Sequence, residues 1–271
     1  LTTSTLNKSP FVSMAISLGR RALFRNHLRQ FGSSALPGTS TAEVASGNTF
    51  KGRKRFYDEV AVQKTNAGYE IELDGRRVRT AKGVPLAIPS KLLAYSVAGE
   101  WERQTSELEP ETMPLYGLCS IGTQIDASSR RLSEEHVMGY LQTDTTCIRA
   151  TAEENLPLHI KQKETLDPIL EWFGSQFGPM EVSAGVFAPD IPRETEVRVK
   201  KALGEMNDWE LAALERLTRT CKSLVLGLAV YHRHLNAEKA LDASRLEESH
   251  QIEQWGMLEN GHDFDVNYVR L

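Results

Sequence analysis

Strand-forming sequence is concentrated in the first half of this 271-residue chain, and that asymmetry limits what it can fold into. Phe56–Gln63 collects aromatic and β-branched residues, and Tyr69–Leu73 alternates apolar with polar positions as a half-buried strand does. Asn66-Ala67-Gly68 between them is turn chemistry. Asp74-Gly75 predicts a two-residue hairpin into Arg77–Thr80, and Pro85 and Pro89 bracket a short extended piece, Leu86–Ile88. These segments predict a small meandering sheet. Ser90 caps a helix expected over Lys91–Thr105, whose Leu92, Leu93, Tyr95, Val97 and Trp101 approximate helical spacing. Two more helices are expected over Tyr116–Ser129 and Ser133–Thr143, and residues 144–151 read as a strand returning to the sheet. The implied class is α+β, a sheet with helices on one side.

From Leu156 the strand signals nearly vanish. His159–Phe177 (interrupted by Pro168), Arg193–Met206, Trp209–Thr218 and Thr220–Leu235 are helical in pattern, with a loop over Val182–Pro192. Thr220–Leu235 is the most apolar and is expected to form the core of this half. Asn236 caps a last helix, Ala237–Trp255, which Gly256 ends. The expected organisation is an α/β domain over 55–153 followed by an all-α helical domain over 154–271.

The leading residues have a different composition. Residues 1–31 carry five basic residues and no acid, so the other residues hold 27 basic against 36 acidic, a net charge of −9. Met14 reads as the initiator, with Leu1–Ser13 as translated upstream sequence. Ile16, Leu18, Leu23, Phe24 and Leu28, with Arg20, Arg21, Arg25 and Arg29 around them, make the amphipathic, acid-poor pattern of an organellar presequence. Arg29-Gln30-Phe31 resembles a mitochondrial processing site, which sets 1–31 as presequence and 32–54 as a flexible lead. The acidic remainder argues against nucleic acid or an anionic membrane as partner. No apolar run reaches the roughly 18 residues of a membrane span. Cys119, Cys147 and Cys221 are scattered and odd in number, which suits a reducing compartment and offers no zinc site.

The last helix is chemically the most distinctive stretch. From Leu246 to Asp263 there are five acids and no Lys or Arg. Glu247 and Gln251 share a face, Glu248 lies beside them, and Trp255 and Glu259 follow. Such a run is either a solvated face or a docking face for a basic or amide-rich surface. Catalytic signatures are missing: there is no Gly-rich phosphate loop, no GxSxG elbow and no HExxH. His232 and His234, two apart on a helix, point to different sides and suit no shared metal. Asp144 is either a catalytic acid or a carboxylate accepting hydrogen bonds at a turn or strand end, the commoner use.

Taken in order, several segments resemble one family. They are Asp74-Gly75-Arg76 with Arg79-Thr80, Pro89-Ser90, Glu100-Trp101-x-x-Gln104, Met113-Pro114-Leu115 and Tyr140-Leu141-x-Thr143-Asp144-Thr145. Asp167-Pro168-Ile169-Leu170, Lys222-Ser223-Leu224, and Arg245-Leu246-Glu247-Glu248 through Gln251-Ile252-x-x-Trp255-Gly256 complete the set, with Glu259 and His262-Asp263. The ordered set resembles the mitochondrial assembly chaperones of the ATP synthase F(1) sector that serve the alpha subunit. The resemblance implies a two-layer α/β amino-terminal domain followed by an orthogonal helical bundle. It also implies a matrix protein that holds the unassembled alpha subunit, prevents its aggregation and promotes the alpha–beta hexamer, with no catalysis and no cofactor. By the same resemblance a carboxylate at Glu247, beside Glu248, serves function, and Trp101 serves fold integrity. Glu247, Glu248, Gln251, Trp255 and Glu259 are the expected partner contacts, Trp101 and Asp144 the structural residues, and the free protein is expected to be monomeric. Ala81 departs from the family's usual Pro after Arg-Thr, and the end at Leu271 is shorter than expected. A hydrolase using Asp144 and a His, and a structural subunit of a respiratory complex, are the competing functions.

Overall fold

The structure, a computed structural model, describes residues 52–184 and 190–256. The expected presequence, its processing site, most of the 32–54 lead and Glu259 lie outside the described residues. Two compact units are present within them: 52–132 with Asp208–Ala213, and 133–207 with 214–256. These are drawn differently from the expected 55–153 and 154–271 domains, since 133–153 pack with the second unit and Asp208–Ala213 with the first.

In the first unit, β1 (Val60–Thr65) and β2 (Gly68–Leu73) pair antiparallel from Val60↔Leu73 to Thr65↔Gly68, turning at Asn66-Ala67. Gly68 is required: a Cβ there would lie 2.6 Å from the Ile88 carbonyl oxygen. Leu73↔Arg76 then closes a two-residue turn into β3 (Arg76–Arg77). Asp74 and Gly75 both take positive φ, 49° and 72°, as a hairpin turn of this twist demands. Asp74 tolerates that conformation while its carboxylate accepts the Asp58 and Glu59 N–H groups, which also hold its pKa down. β4 (Ala87–Ile88) pairs with the other end of β2.

Across this sheet packs α1 (Lys91–Glu102), started by Ser90, whose hydroxyl accepts the Leu93 N–H. Leu93, Ala94, Val97 and Trp101 join Ile71, Leu73, Val78, Leu86 and Ile88 in one core. Leu92 and Tyr95, expected on the apolar face, are about half exposed, because the buried stripe follows Leu93, Ala94, Val97 and Trp101 instead. Trp101 meets the rings of Tyr57 and Tyr116 edge-on at 5.7 and 5.0 Å. Its sequence neighbours hold the next segment. Glu100, 1% exposed, accepts the N–H groups of Leu115 and Tyr116 at 2.9 and 2.7 Å, and Gln104 accepts the Glu109 N–H. This anchors the start of α2 (Pro114–Gln124). The next helix, α3 (Ala127–Gln142), begins earlier than expected because Asp126, not Ser133, caps it: its carboxylate accepts the Ser128 and Ser129 N–H groups.

Residues 144–151 do not return to the first sheet. Asp144 tightens Thr145–Cys147 into a single 3₁₀ turn, and the two-residue β5 (Ile148–Arg149) pairs in parallel with β6 (Ser183–Ala184). A long α4 (Ala152–Phe177) follows, non-helical only at Asn155. Pro168 sits inside it without ending it, its ring exposed. α5 (Arg193–Glu205) and α6 (Asp208–Cys221) lead to α7 (Leu224–Tyr231), the centre of the second unit, with Leu224–Val230 all buried. The approach of α6 to α7 is close: a Cβ on Gly227 would lie 2.8 Å from Thr218 Oγ1. The expected helix Ala237–Trp255 is two, α8 (Ala237–Ser244) and α9 (Leu246–Trp255), broken at buried Arg245. Overall the chain has the expected α+β class.

Candidate functional site

The short helix α9 sorts its residues by its own geometry. Arg245 and His250 are buried, Leu246, Ser249 and Ile252 partly so, and Glu247, Gln251, Gln254 and Trp255 point outward. At 3.6 residues per turn, Glu247, Gln251 and Gln254 form one stripe, and Glu248, Gln251 and Trp255 its neighbour. Trp255 is 74% exposed, the most exposed large apolar side chain among the described residues. Leaving an indole in water forgoes roughly 2–3 kcal/mol of burial, which makes such a residue a natural anchor for a partner. The inner side is polar: Arg245 Nε, Ser249 Oγ and both ring nitrogens of His250 are buried without a hydrogen-bond partner.

Basic residues from elsewhere trim the acidity read from the sequence. Lys161 of α4 pairs with Glu253, whose carboxyl it holds below the ordinary range. Lys222, between α6 and α7, lies 3.8 Å from Glu248. Among the described residues, Glu247 is the acid of α9 without an ion pair, and it is exposed. The outward face is therefore one free carboxylate, two amides and an indole, bordered by an ion pair on each flank. Neither lysine is part of the α9 sequence pattern. Lys161 stands 92 residues from Glu253, and nothing local signals the pairing.

The structure brings Glu247, Glu248, Gln251 and Trp255 together on α9 and leaves Trp101 in the core of the other unit. Asp144 is 1% exposed and its oxygens are engaged by four donors. Oδ1 accepts Thr146 N, Thr146 Oγ1 and Ser223 Oγ at 3.0, 2.7 and 2.7 Å, and Oδ2 accepts Val225 N at 3.0 Å. Burial pushes its pKa up, against those bonds. Its place is that of a clamp between the 3₁₀ turn and the start of α7. The histidines pack on an aromatic: His234 stacks on Trp172 at 4.7 Å, with His232 at 5.9 Å. Burial pushes the thiols of Cys147 and Cys221 up to about 12 and 11, away from the thiolate form. Among the described residues no cluster of His, Cys, Asp and Glu could hold a metal ion, and no helix is long and apolar enough to cross a membrane.

By fold this is an α+β protein whose exposed chemistry lies on a helix face rather than in a cleft. The family model of the ATP12 chaperone protein matches residues 54–174. The mitochondrial atp12 protein of Schizosaccharomyces pombe is 31% identical over 223 residues, covering 78% of this chain and 77% of that one. The crystal structure of Atp12 from Paracoccus denitrificans superposes with a TM-score of 0.70 at 29% identity, over 77% of this chain and 88% of that one. The Atu1473 protein of Agrobacterium tumefaciens gives 0.72 at 31%, over 80% and 81%. The chain belongs to the ATP12 chaperone family.

Proposed function

We propose that this chain is a non-catalytic assembly chaperone of the mitochondrial ATP synthase, which binds the unassembled alpha subunit of F(1) in the matrix. It keeps that subunit from aggregating and promotes assembly of the alpha–beta hexamer. It is monomeric when free, takes no cofactor, and touches its client through Glu247, Glu248, Gln251, Trp255 and Glu259. Family membership supports the chaperone class. The observation that carries the docking site is the outward side of α9, which exposes an indole, 74% accessible, along with the Glu247 carboxylate and two amides. Exposed charge of this kind speeds encounter, and the apolar anchor slows dissociation.

The test is capture of separately expressed alpha and beta subunits by the tagged chain, with Glu247→Lys alongside. Capture of alpha and not beta is expected, with about a tenfold or greater loss in the variant at unchanged helical circular dichroism. No capture of alpha refutes the function. Capture that ignores Glu247→Lys removes the docking site from α9.

A further inference from the structure

Three non-glycine residues among those described have positive φ: Asp74, Lys222 and Arg233. Asp74 is accounted for by its hairpin and its carboxylate bonds. Lys222, at φ 53°, is the residue just past the end of α6. The Ser223 N–H reaches back to the Thr218 carbonyl at 3.1 Å, the hydrogen bond of a left-handed helix cap. Glycine is the usual occupant there because an L side chain is strained in that conformation. A lysine kept at such a position needs a reason, and strained backbone is concentrated at functional sites.

The side chain supplies one. Its position is fixed by buried chemistry on both sides. Ser223 donates to Asp144 at 2.7 Å and caps α7, while Thr145 Oγ1 donates to the Lys222 carbonyl. From that fixed backbone the side chain, 55% exposed, reaches Glu248 in the first turn of α9. At 3.8 Å from Glu248 the ammonium is near enough to be attracted and too far to hydrogen-bond, so this pairing leaves its donors available to another acceptor.

We infer that Lys222 is a partner-contacting residue of the α9 face, an ammonium held in place to meet a carboxylate on the client subunit. The inference rests on the docking reading above. It makes the face two-signed: Glu247 takes a basic or amide group, Lys222 takes an acid, and Trp255 supplies the apolar contact at the other end of the helix. A two-signed face selects orientation, because a client turned end for end meets like charges.

Lys222→Gly separates this role from a structural one, since glycine suits the backbone better than lysine does. Arg233→Gly is the control, because Arg233 occupies the same position past α7: the His234 N–H returns to the Ala229 carbonyl at 2.8 Å. The full chain and its variants are titrated against isolated alpha subunit, with melting temperatures measured in parallel. Lys222→Gly is expected to bind about tenfold more weakly, with a melting temperature equal to or above the parent. Lys222→Arg is expected to keep most of the affinity, and Arg233→Gly all of it. Undiminished binding by Lys222→Gly overturns the inference while leaving the docking reading intact. So does an equal loss in Arg233→Gly, which assigns the effect to the cap, or a lowered melting temperature in Lys222→Gly. A parent chain that fails to bind the subunit sinks the docking reading and this inference with it.

Discussion

Glu100 offers a quantitative test of how the first unit is held together. Its carboxyl is 1% exposed, and burial raises its pKa from an ordinary 4.5 to about 7, against the N–H groups of Leu115 and Tyr116 and the charge of Arg103. With the folded pKa above the unfolded one, the folded state holds the extra proton between pH 4.5 and about 7. Stability contributed by this group is therefore full below pH 4.5, falls as pH rises through that window and is flat above it. At 1.36 kcal/mol per pH unit the span amounts to about 3 kcal/mol. Glu100→Gln removes the titration and turns an NH₂ toward one of the two backbone donors, a pH-independent loss of about 1–3 kcal/mol. Urea unfolding of both proteins from pH 4.5 to 8 isolates the effect, since the other titrating groups cancel in the difference. The variant is expected to be clearly less stable at pH 5, and the gap to narrow by about 2–3 kcal/mol by pH 8, leaving the pH-independent loss. A stability difference that stays constant across the range would refute the reasoning and place Glu100 in a better-solvated site.

Two further substitutions test the clamps of each unit. Trp101→Ala empties a site 1% exposed and removes both edge-on ring contacts, so about 3–5 kcal/mol should be lost, with collapse of the near-ultraviolet dichroism; a loss under about 1 kcal/mol would show that the cavity refills. Asp144→Asn sets an amide NH₂ against donors from Thr146, Ser223 and Val225, and should cost about 2–3 kcal/mol in urea unfolding; an unchanged midpoint would mean that these donors find other acceptors.

Elements governed by their own neighbours in sequence could be read before the structure. Asp74-Gly75 marks its hairpin because only a few residue types accept two successive positive φ values, and Ser90 marks the start of α1 because a hydroxyl there satisfies a free N–H. The same logic placed Glu247 and Gln251 on one helix face. What could not be read depends on groups distant in the chain. Residues 144–151 resemble a strand, yet Asp144 is fixed by Ser223 and Val225, 79 and 81 positions away, and those bonds curl it into a turn. The break at Arg245 falls within a pattern that is helical on both sides. Leu92 and Tyr95 fit helical spacing as well as the residues that are buried, and the angle at which α1 meets the sheet decides between them. The charge balance around α9 is the least legible feature, because its two compensating lysines come from α4 and from the turn before α7.

That compensation changes what the face can do for a client. A helix bearing only acids would attract any basic surface, with a strength set by salt rather than by fit. With Glu253 and Glu248 each facing a lysine, the long-range pull is reduced and the remaining groups must be matched individually. A face built on one indole, one acid, two amides and the Lys222 ammonium is small beside a standard stable interface of roughly 1,600 Å². Its affinity then rests on Trp255 as the single strong anchor, worth about 2–4 kcal/mol, with charge placement setting the register. On the proposed function that is a fitting strength. A chaperone on that reading has to hold its client specifically and still give it up, and weak binding tied to well-placed charges meets both needs.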